Sequence, residues 1–405
     1  MSTETQDHEK ILADLTSPAW SATIGGIRVH SGPGTLSLIG ELAQQMGGQR
    51  TMIVTDPGVR DAGYPEQAAE LIGKESGSVF VFDGVAENPT TRHVEAGTEV
   101  ARQQEIDLIV GLGGGSAMDC AKGINFLLTN GGKMEDYWGI NKATQPMLPA
   151  IGVPTTAGTG SEAQSFALIA QEESHRKMAC GDEKARFAHV ILDPSLTVSA
   201  PQPVAVATGI DAIGHAVESY VSSRRSPISQ LYAREAWRLL VSSFSASLAD
   251  PANLEVAGQM QLGAHLAGAA IECSMLGAAH ACANPLTARF DIPHGIAVGL
   301  LLPHVVRFNS EVVGPLYDEL VPAILDLMTS DQGHMLAPMS GGAVVANLIE
   351  TLVREGGVQN RLRDYRIEQE TLPALAEDAA DQWTAGFNPR PVGRQELLDI
   401  YEAAY

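Results

Sequence analysis

Short β-branched runs alternate with amphipathic stretches up to about residue 195, and beyond about residue 200 the alternation stops. No other feature limits the fold as strongly. The strand-like runs are TMIVT at 51–55, SVFVFDG at 78–84, DLIVGL at 107–112, LPAIGVP at 148–154, AQSFALIA at 163–170 and HVILDPS at 189–195. Helical spacing separates the earlier ones, at 35–48, 65–74 and 91–104, and such alternation predicts a parallel α/β sheet. SATIGGIRVHSGPG at 21–34, centred on Gly25-Gly26, predicts a hairpin. From there on, 203–222, 227–247, 253–277, 295–308, 311–329, 341–355 and 371–385 have helical periodicity, with no alternating strand among them. The expected organisation is an α/β domain over 1–199 and an all-helical domain over 200–405, packed tightly with a cleft between them.

The 405 residues, 44% of them hydrophobic, suffice for two cores. Residues 1–20 are polar, then irregular, and are expected to form a surface segment without a leader; no apolar run of about 18 residues follows, so a soluble cytoplasmic protein is expected. The four cysteines, Cys120, Cys180, Cys273 and Cys282, are too few and scattered for a disulfide framework and read as buried thiols. With 48 acidic against 26 basic residues, a net charge of −22 argues against nucleic acid and anionic membranes as partners. A dinucleotide would then have to be held by local backbone N–H groups and a helix N-terminus against the overall field.

Such a place exists in DLIVGLGGGSAMDCAKG at 107–123. A buried strand, three consecutive glycines (Gly113, Gly114, Gly115) and a helix starting near Ser116 would let backbone approach a pyrophosphate. The run departs from G-x-G-x-x-G and lacks the lysine of an NTP loop, so by itself it is equally an ordinary strand-to-helix turn. Asp56, ending an earlier strand, is the residue type that accepts hydrogen bonds from a ribose 2′-hydroxyl, although Asp56-Pro57-Gly58 alone is better explained as a turn. PTTAGTGSE at 154–162 offers Thr155, Thr156 and Thr159 as hydroxyl donors of little bulk, or simply a loop packed beneath the helical half.

GIDAIGHAVES at 209–219 places Asp211 and His215 four residues apart on one face of a predicted helix, where a carboxylate and an imidazole can close on one cation. His280 (LGAAHACANP) and His294 (DIPHG) complete the set from small-residue surroundings. One hard oxygen and three borderline nitrogens suit Fe(II) or Zn(II) and suit Mg(II) poorly. A lone histidine on an apolar face is more often a satisfied core residue; the shared face of Asp211 and His215 favours the metal.

Taken together, GGGSAMDCAK at 113–122, PTTAGTGSE at 154–162, ILDPSLT at 191–197, TGIDAIGHAVESY at 208–220, DIPHG at 291–295 and NPRPVGRQELLDIYEAAY at 388–405 resemble the iron-containing (group III) alcohol dehydrogenases, from about residue 21 to the C-terminus. The resemblance implies a nucleotide-binding α/β domain, an all-helical domain of the dehydroquinate-synthase-like kind, and NAD(P) beside a divalent metal. It implies metal ligands Asp211, His215, His280 and His294, a pyrophosphate turn at Gly113, Gly114, Gly115, Ser116 and Ala117 followed by Asp119, and cofactor contacts from Asp56, Asn88, the threonines of 155–159 and Lys177. An aspartate at position 56 resembles members that prefer NAD over NADP.

One departure stands out. Members commonly carry His-x-x-x-His at the third ligand, and here the run is His280-Ala-Cys-Ala-Asn284. Asn284 can orient a hydroxyl or a water but cannot titrate near neutrality, so a proton would leave through water or the cofactor ribose hydroxyls. The expected activity is reversible hydride transfer between NAD(H) and a small alcohol or aldehyde, by a homodimer or higher homo-oligomer for which the 21–30 hairpin is a candidate edge. A sugar-phosphate cyclase-like lyase using NAD transiently is the alternative on the same fold. It needs a lysine and arginine cluster, yet 203–300 holds only Arg224, Arg225, Arg234, Arg238 and Arg289. A binding or sensory protein with a structural metal is a third reading.

Overall fold

The computed structural model describes residues 19–174, 176–325 and 339–405. Most of the expected N-terminal surface segment, and residues 326–329 of one predicted helix, lie outside them. The chain divides into two compact units: residues up to Thr156 with Ser161–Ala200, and Ala157–Gly160 with Pro201–Tyr405.

The first unit is built on a seven-stranded sheet. Its strands are β1 (Trp20–Ile24), β2 (Ile27–Ser31), β3 (Arg50–Val54), β4 (Ser78–Phe82), β5 (Leu108–Gly113), β7 (Ala150–Pro154) and β10 (His189–Leu192), in the order β1-β2-β10-β7-β5-β3-β4. Only β1 and β2 are antiparallel, joined by Gly25 and Gly26 with φ 58° and 86°. A two-residue turn needing positive φ at both positions matches the twist of its strands, which is why Gly-Gly announces the hairpin. The central β5 is buried at every residue, as a parallel strand covered on both faces must be. One core cluster joins its Val110 and Leu112 to Ile53, Ile151, Val153 and Ile191 of neighbouring strands. Leu36, in the 3-10 turn before α1 (Ile39–Gln45), Ile39 at the start of α1, and Ile72 of α3 (Tyr64–Glu75) close over the same cluster. Each such side chain, fully buried, contributes roughly 1.5–3 kcal/mol.

The chain enters β3, moves outward to β4, then returns through α4 (Thr91–Gln103) to β5 on the other side of β3 and continues to β7. The direction of winding therefore reverses between β3 and β5. In open parallel sheets the crevice at such a switch, beyond the carboxyl ends of the strands, is where ligands bind. A separate three-stranded sheet holds β6 (Gly139–Ile140), β9 (Lys177–Gly181) and β8 (Phe166–Ala170). The sequence pattern misses β9, whose run KMACG lacks β-branched residues, and it does not separate β8 from the main sheet.

His30 of β2 stacks on His189 of β10, with ring centroids 5.3 Å apart, Nε2 3.0 Å from His189 Nδ1, and Nδ1 2.8 Å from Ser21 Oγ. Burial, then the His189 and Arg28 charges, pull the His30 imidazole down to about 4. With a folded value below the unfolded one near 6.5, the unfolded chain binds the extra proton between those values. The contribution is thus complete above pH 6.5 and is lost as pH falls toward 4. Urea unfolding at pH 7.5 and 5.0 should show the wild type losing on the order of 1 kcal/mol more than His30→Gln, after discounting for solvent screening. An equal loss in both would remove His30 from the acid response.

The second unit is helical: α6 (Gln202–Val221), α7 (Pro227–Ala249), α8 (Leu254–Glu272), α9 (Ala278–Phe290), α10 (His294–Asp318), α11 (Val321–Leu325), α12 (Gly341–Glu355), α13 (Leu372–Ala380) and α14 (Arg394–Ala404). Among these, α9 and α14 are absent from the helices expected from sequence. Asn284-Pro285 reads as a break, yet Pro285 lies inside α9. The separate stretches expected at 295–308 and 311–329 meet in α10, two helical segments joined across a kink at Val313 (φ −121°, ψ 24°), two residues before Pro315; residues 321–325 of the second stretch form α11. By length and apolarity α10 could cross a bilayer; 61% of its apolar window is buried, and it packs against α6 and α12, as a core helix does. Cys120, Cys180 and Cys282 are buried, and burial is the main force pushing the Cys180 thiol up to about 12. Cys273 corrects the expectation: it sits at the C-terminus of α8, exposed.

Candidate metal centre and nucleotide turn

Three sequence-distant predictions meet at the carboxyl ends of β3, β5 and β7. Gly113 ends β5 with φ 152°, a conformation that favours glycine. A Cβ there would lie 2.7 Å from Ala117 Cβ and 3.2 Å from Asp56 Oδ2. Gly115 and Ser116 open α5 (Gly115–Asn130), so their N–H groups precede the first intrahelical bond. Thr155 donates its N–H to the Gly113 carbonyl at 2.9 Å, and Thr156 lies against Gly114. Asp56 accepts from the Val59 N–H at 3.0 Å, capping the short helix α2 (Pro57–Asp61). Asp56, the glycine turn and Thr155–Thr156 thus line one crevice edge, at the switch point.

Other predicted cofactor residues are placed differently. Asn88 is exposed, with φ 52°, in the connection after β4. Thr159 groups with the helical unit through Ala157–Gly160. Asp119 is buried: its Oδ1 accepts from Ser161 Oγ at 2.5 Å. Burial pushes its carboxyl up, against the opposing pull of Lys122, Ser161 and the charge of Lys177, which opens β9. Lys122 is also buried, donating to the carbonyls of Ser161 and Phe166 at 2.7 Å each. Asp119 and Lys122 therefore tie α5 to the Ser161–Phe166 segment. Sequence reasoning passed over Lys122, although its i+3 spacing from Asp119 was visible.

The predicted metal ligands converge in the helical unit. Asp211 and His215 lie one turn apart on α6, with His215 Nε2 3.5 Å from Asp211 Oδ1. His280, in the first turn of α9, brings Nε2 to 3.4 Å of the same oxygen, and His294, first residue of α10, brings Nε2 to 3.8 Å. Asp211, His215 and His280 offer ligand atoms all within 4.8 Å of one another. Close helix approach makes this possible: a Cβ on Gly295 would lie 1.8 Å from the Ala207 carbonyl oxygen and 3.0 Å from Asp211 Cβ. The glycine of DIPHG lets α10 start against α6.

These separations test whether a metal fits. They are too long for good N–H···O hydrogen bonds, and Asp211 Oδ1 and His280 Nε2 are buried without a hydrogen-bond partner. An unpaired buried carboxylate oxygen is costly. Two ligands about 2.1 Å from one tetrahedral ion are about 3.4 Å apart, close to the spacing observed, so the donor set fits a divalent ion. Burial pushes Asp211 up, but His215, His280 and His294 together hold it well below the usual carboxylate range. Burial pulls His280 down, and the opposing Glu218 charge, with Asp211, carries it up to about 9. The two carboxylates make the pocket favour positive charge.

Asn284, one turn after His280, donates its amide N–H to Gln382 Oε1 at 3.0 Å. Glu218, within the GIDAIGHAVES run, lies against His280, a contact that no local pattern in the sequence announces.

Two sequence profiles span the chain: iron-containing alcohol dehydrogenase over residues 27–194, and the C-terminal part of the Fe-containing alcohol dehydrogenase family over 205–405. They mark an oxidoreductase in which an α/β unit precedes a helical one. The chain belongs to the iron-containing alcohol dehydrogenase family. It is 34% identical to 1,3-propanediol dehydrogenase of Citrobacter freundii over 92% of this chain and 96% of that one. To NAD-dependent methanol dehydrogenase of Bacillus methanolicus it is 30% identical, over 92% and 97%. Alcohol dehydrogenase from Oenococcus oeni has a similar structure, with TM-score 0.88 and 30% identity over 96% of this chain and 99% of that one.

Proposed function

We propose that the protein is an NAD- and divalent-metal-dependent alcohol dehydrogenase or aldehyde reductase acting on a small alcohol or carbonyl compound. The carrying observation is the convergence of Asp211, His215 and His280 on one buried point with two ligand atoms left unpartnered. The relatives named for propanediol and methanol support a short, uncharged substrate, and the methanol enzyme supports NAD. When bound, the two groups supply hydride exchange at the nicotinamide and Lewis-acid polarisation of the substrate oxygen.

The chain's own residues hold and shield. Asp211, His215, His280 and His294 would hold Fe(II) or Zn(II), with Asp211 giving the one formal charge. Gly113 and Gly114 would admit the pyrophosphate, the N–H groups of Gly115 and Ser116 would meet it, and Asp56 would accept from the ribose hydroxyls. Asn284, fixed by Gln382, has no proton to exchange near neutrality, so the proton of the alcohol would leave through water or the ribose hydroxyls. The test is NADH absorbance over a panel of short alcohols, diols and aldehydes, with metal analysis of the isolated protein. Turnover that a chelator abolishes and added Fe(II) or Zn(II) restores is expected; no metal-dependent turnover with any member would overturn the proposal.

A further inference from the structure

We infer that Glu218 is the positioning residue that commits His280 to donating from Nδ1 and so presents its Nε2 lone pair to the metal; this rests on the metal-site reading above. Asp211, His215 and Glu218 follow one another at i, i+4 and i+7, on one face of α6. Glu218 is buried, with Oε2 2.5 Å from His280 Nδ1. A carboxylate offers only acceptors, so the ring hydrogen facing it belongs to Nδ1. Nε2, on the far side of the ring and 3.4 Å from Asp211 Oδ1, is left as the ligating nitrogen. A carboxylate behind a ligating imidazole fixes ring orientation and raises ligand basicity. His215 has no carboxylate in hydrogen-bonding contact behind it; the Gly158 backbone acts on its ring instead.

The same carboxylate closes the start of α9. Gly277, the N-cap, has no side chain to offer, and Glu218 Oε1 accepts the Ala279 N–H at 2.7 Å while Asn388 Oδ1 accepts that of Ala278 at 3.3 Å. A Cβ on Gly277 would lie 3.0 Å from Glu218 Oε1 and 2.9 Å from Asn388 Oδ1. Capping is therefore shared between two residues, and only Glu218 also touches the ring. That difference separates a cap from a positioning residue.

In Glu218→Gln the amide oxygen can still take the Ala279 N–H, but an NH2 group then faces His280 Nδ1. The nitrogen must accept, the ring hydrogen moves to Nε2, and that atom no longer ligates. Co(II) and Zn(II) affinity, measured by chelator competition, should fall about 10–100-fold, with NADH binding close to wild type and the metal-free melting temperature lowered only by loss of the long His280 N–H contact to Oε2, 3.4 Å. Asn388→Ala, which removes the other cap together with the Asn388 bonds to Asn309 and to the Arg390 carbonyl but touches no imidazole, should lower the metal-free melting temperature and leave metal affinity unchanged. If Glu218→Gln does not fold, Glu218→Asp, with its acceptors one methylene short, carries the same comparison. Wild-type metal affinity in the Glu218 variant, or a loss only in step with metal-free stability, would overturn the inference. Failure of the wild type itself to bind Co(II) or Zn(II) would instead overturn the metal-site reading and the inference with it.

Discussion

Replacing Asp211 with alanine should cut kcat/KM for alcohol oxidation by about a thousandfold or more, and bound metal to a small fraction of one equivalent. Of the four candidate ligands it alone carries a formal charge, and its Oδ1 is the atom that His215, His280 and His294 all face, at 3.5, 3.4 and 3.8 Å. Without it, three imidazoles remain with no counter-charge among the ligands. Losing Lewis-acid stabilisation of about 4 kcal/mol corresponds to roughly a thousandfold in rate. The variant should also lose the metal's effect on thermal stability. A ligand present at about a thousand times its Kd adds about 4 kcal/mol to the folded state, so the wild type should melt higher with metal than with chelator, and Asp211→Ala should melt alike in both. Undiminished binding of one metal equivalent would remove Asp211 from the ligand set. Lost metal binding with intact turnover would make the site structural rather than catalytic.

That variant could be designed from sequence alone, because the helical spacing of Asp211 and His215 states a shared face directly. The Gly25-Gly26 hairpin and the strand running into the glycine turn are equally local, decided by φ preference and apolar alternation within a few residues. What sequence left illegible depends on partners far along the chain. Pro285 suggests a break, yet α9 continues through it, and without that helix the geometry of His280 could not be drawn. Glu218 lay in view on the Asp211–His215 face, but its role depends on a histidine sixty-two residues away. Lys122 likewise shows its purpose only once Ser161 and Phe166 return to α5. The winding reversal between β3 and β5, which turns three unremarkable loops into one crevice edge, follows from strand order, and no local pattern encodes strand order.

That crevice edge carries the other large expected effect, a change of cofactor preference on removing the Asp56 charge. At about 4 Å in water each pair of like unit charges costs about 1 kcal/mol, and a phosphate carries about −1.5 to −2 at neutral pH. A 2′-phosphate beside Asp56 is therefore disfavoured by about 2 kcal/mol, roughly thirtyfold. Asp56→Ala should raise the ratio of kcat/KM for NADP over NAD by about that factor. Alanine also removes the acceptor of the Val59 N–H, a helix cap worth about 1 kcal/mol, so a lower melting temperature should accompany it. Asp56→Asn separates the two effects, because the amide oxygen can still cap α2 while the charge is gone. The asparagine variant should show the shifted preference with near-wild-type stability, whereas unchanged preference in both would reduce Asp56 to a cap and leave the ribose without an assigned acceptor at the switch point.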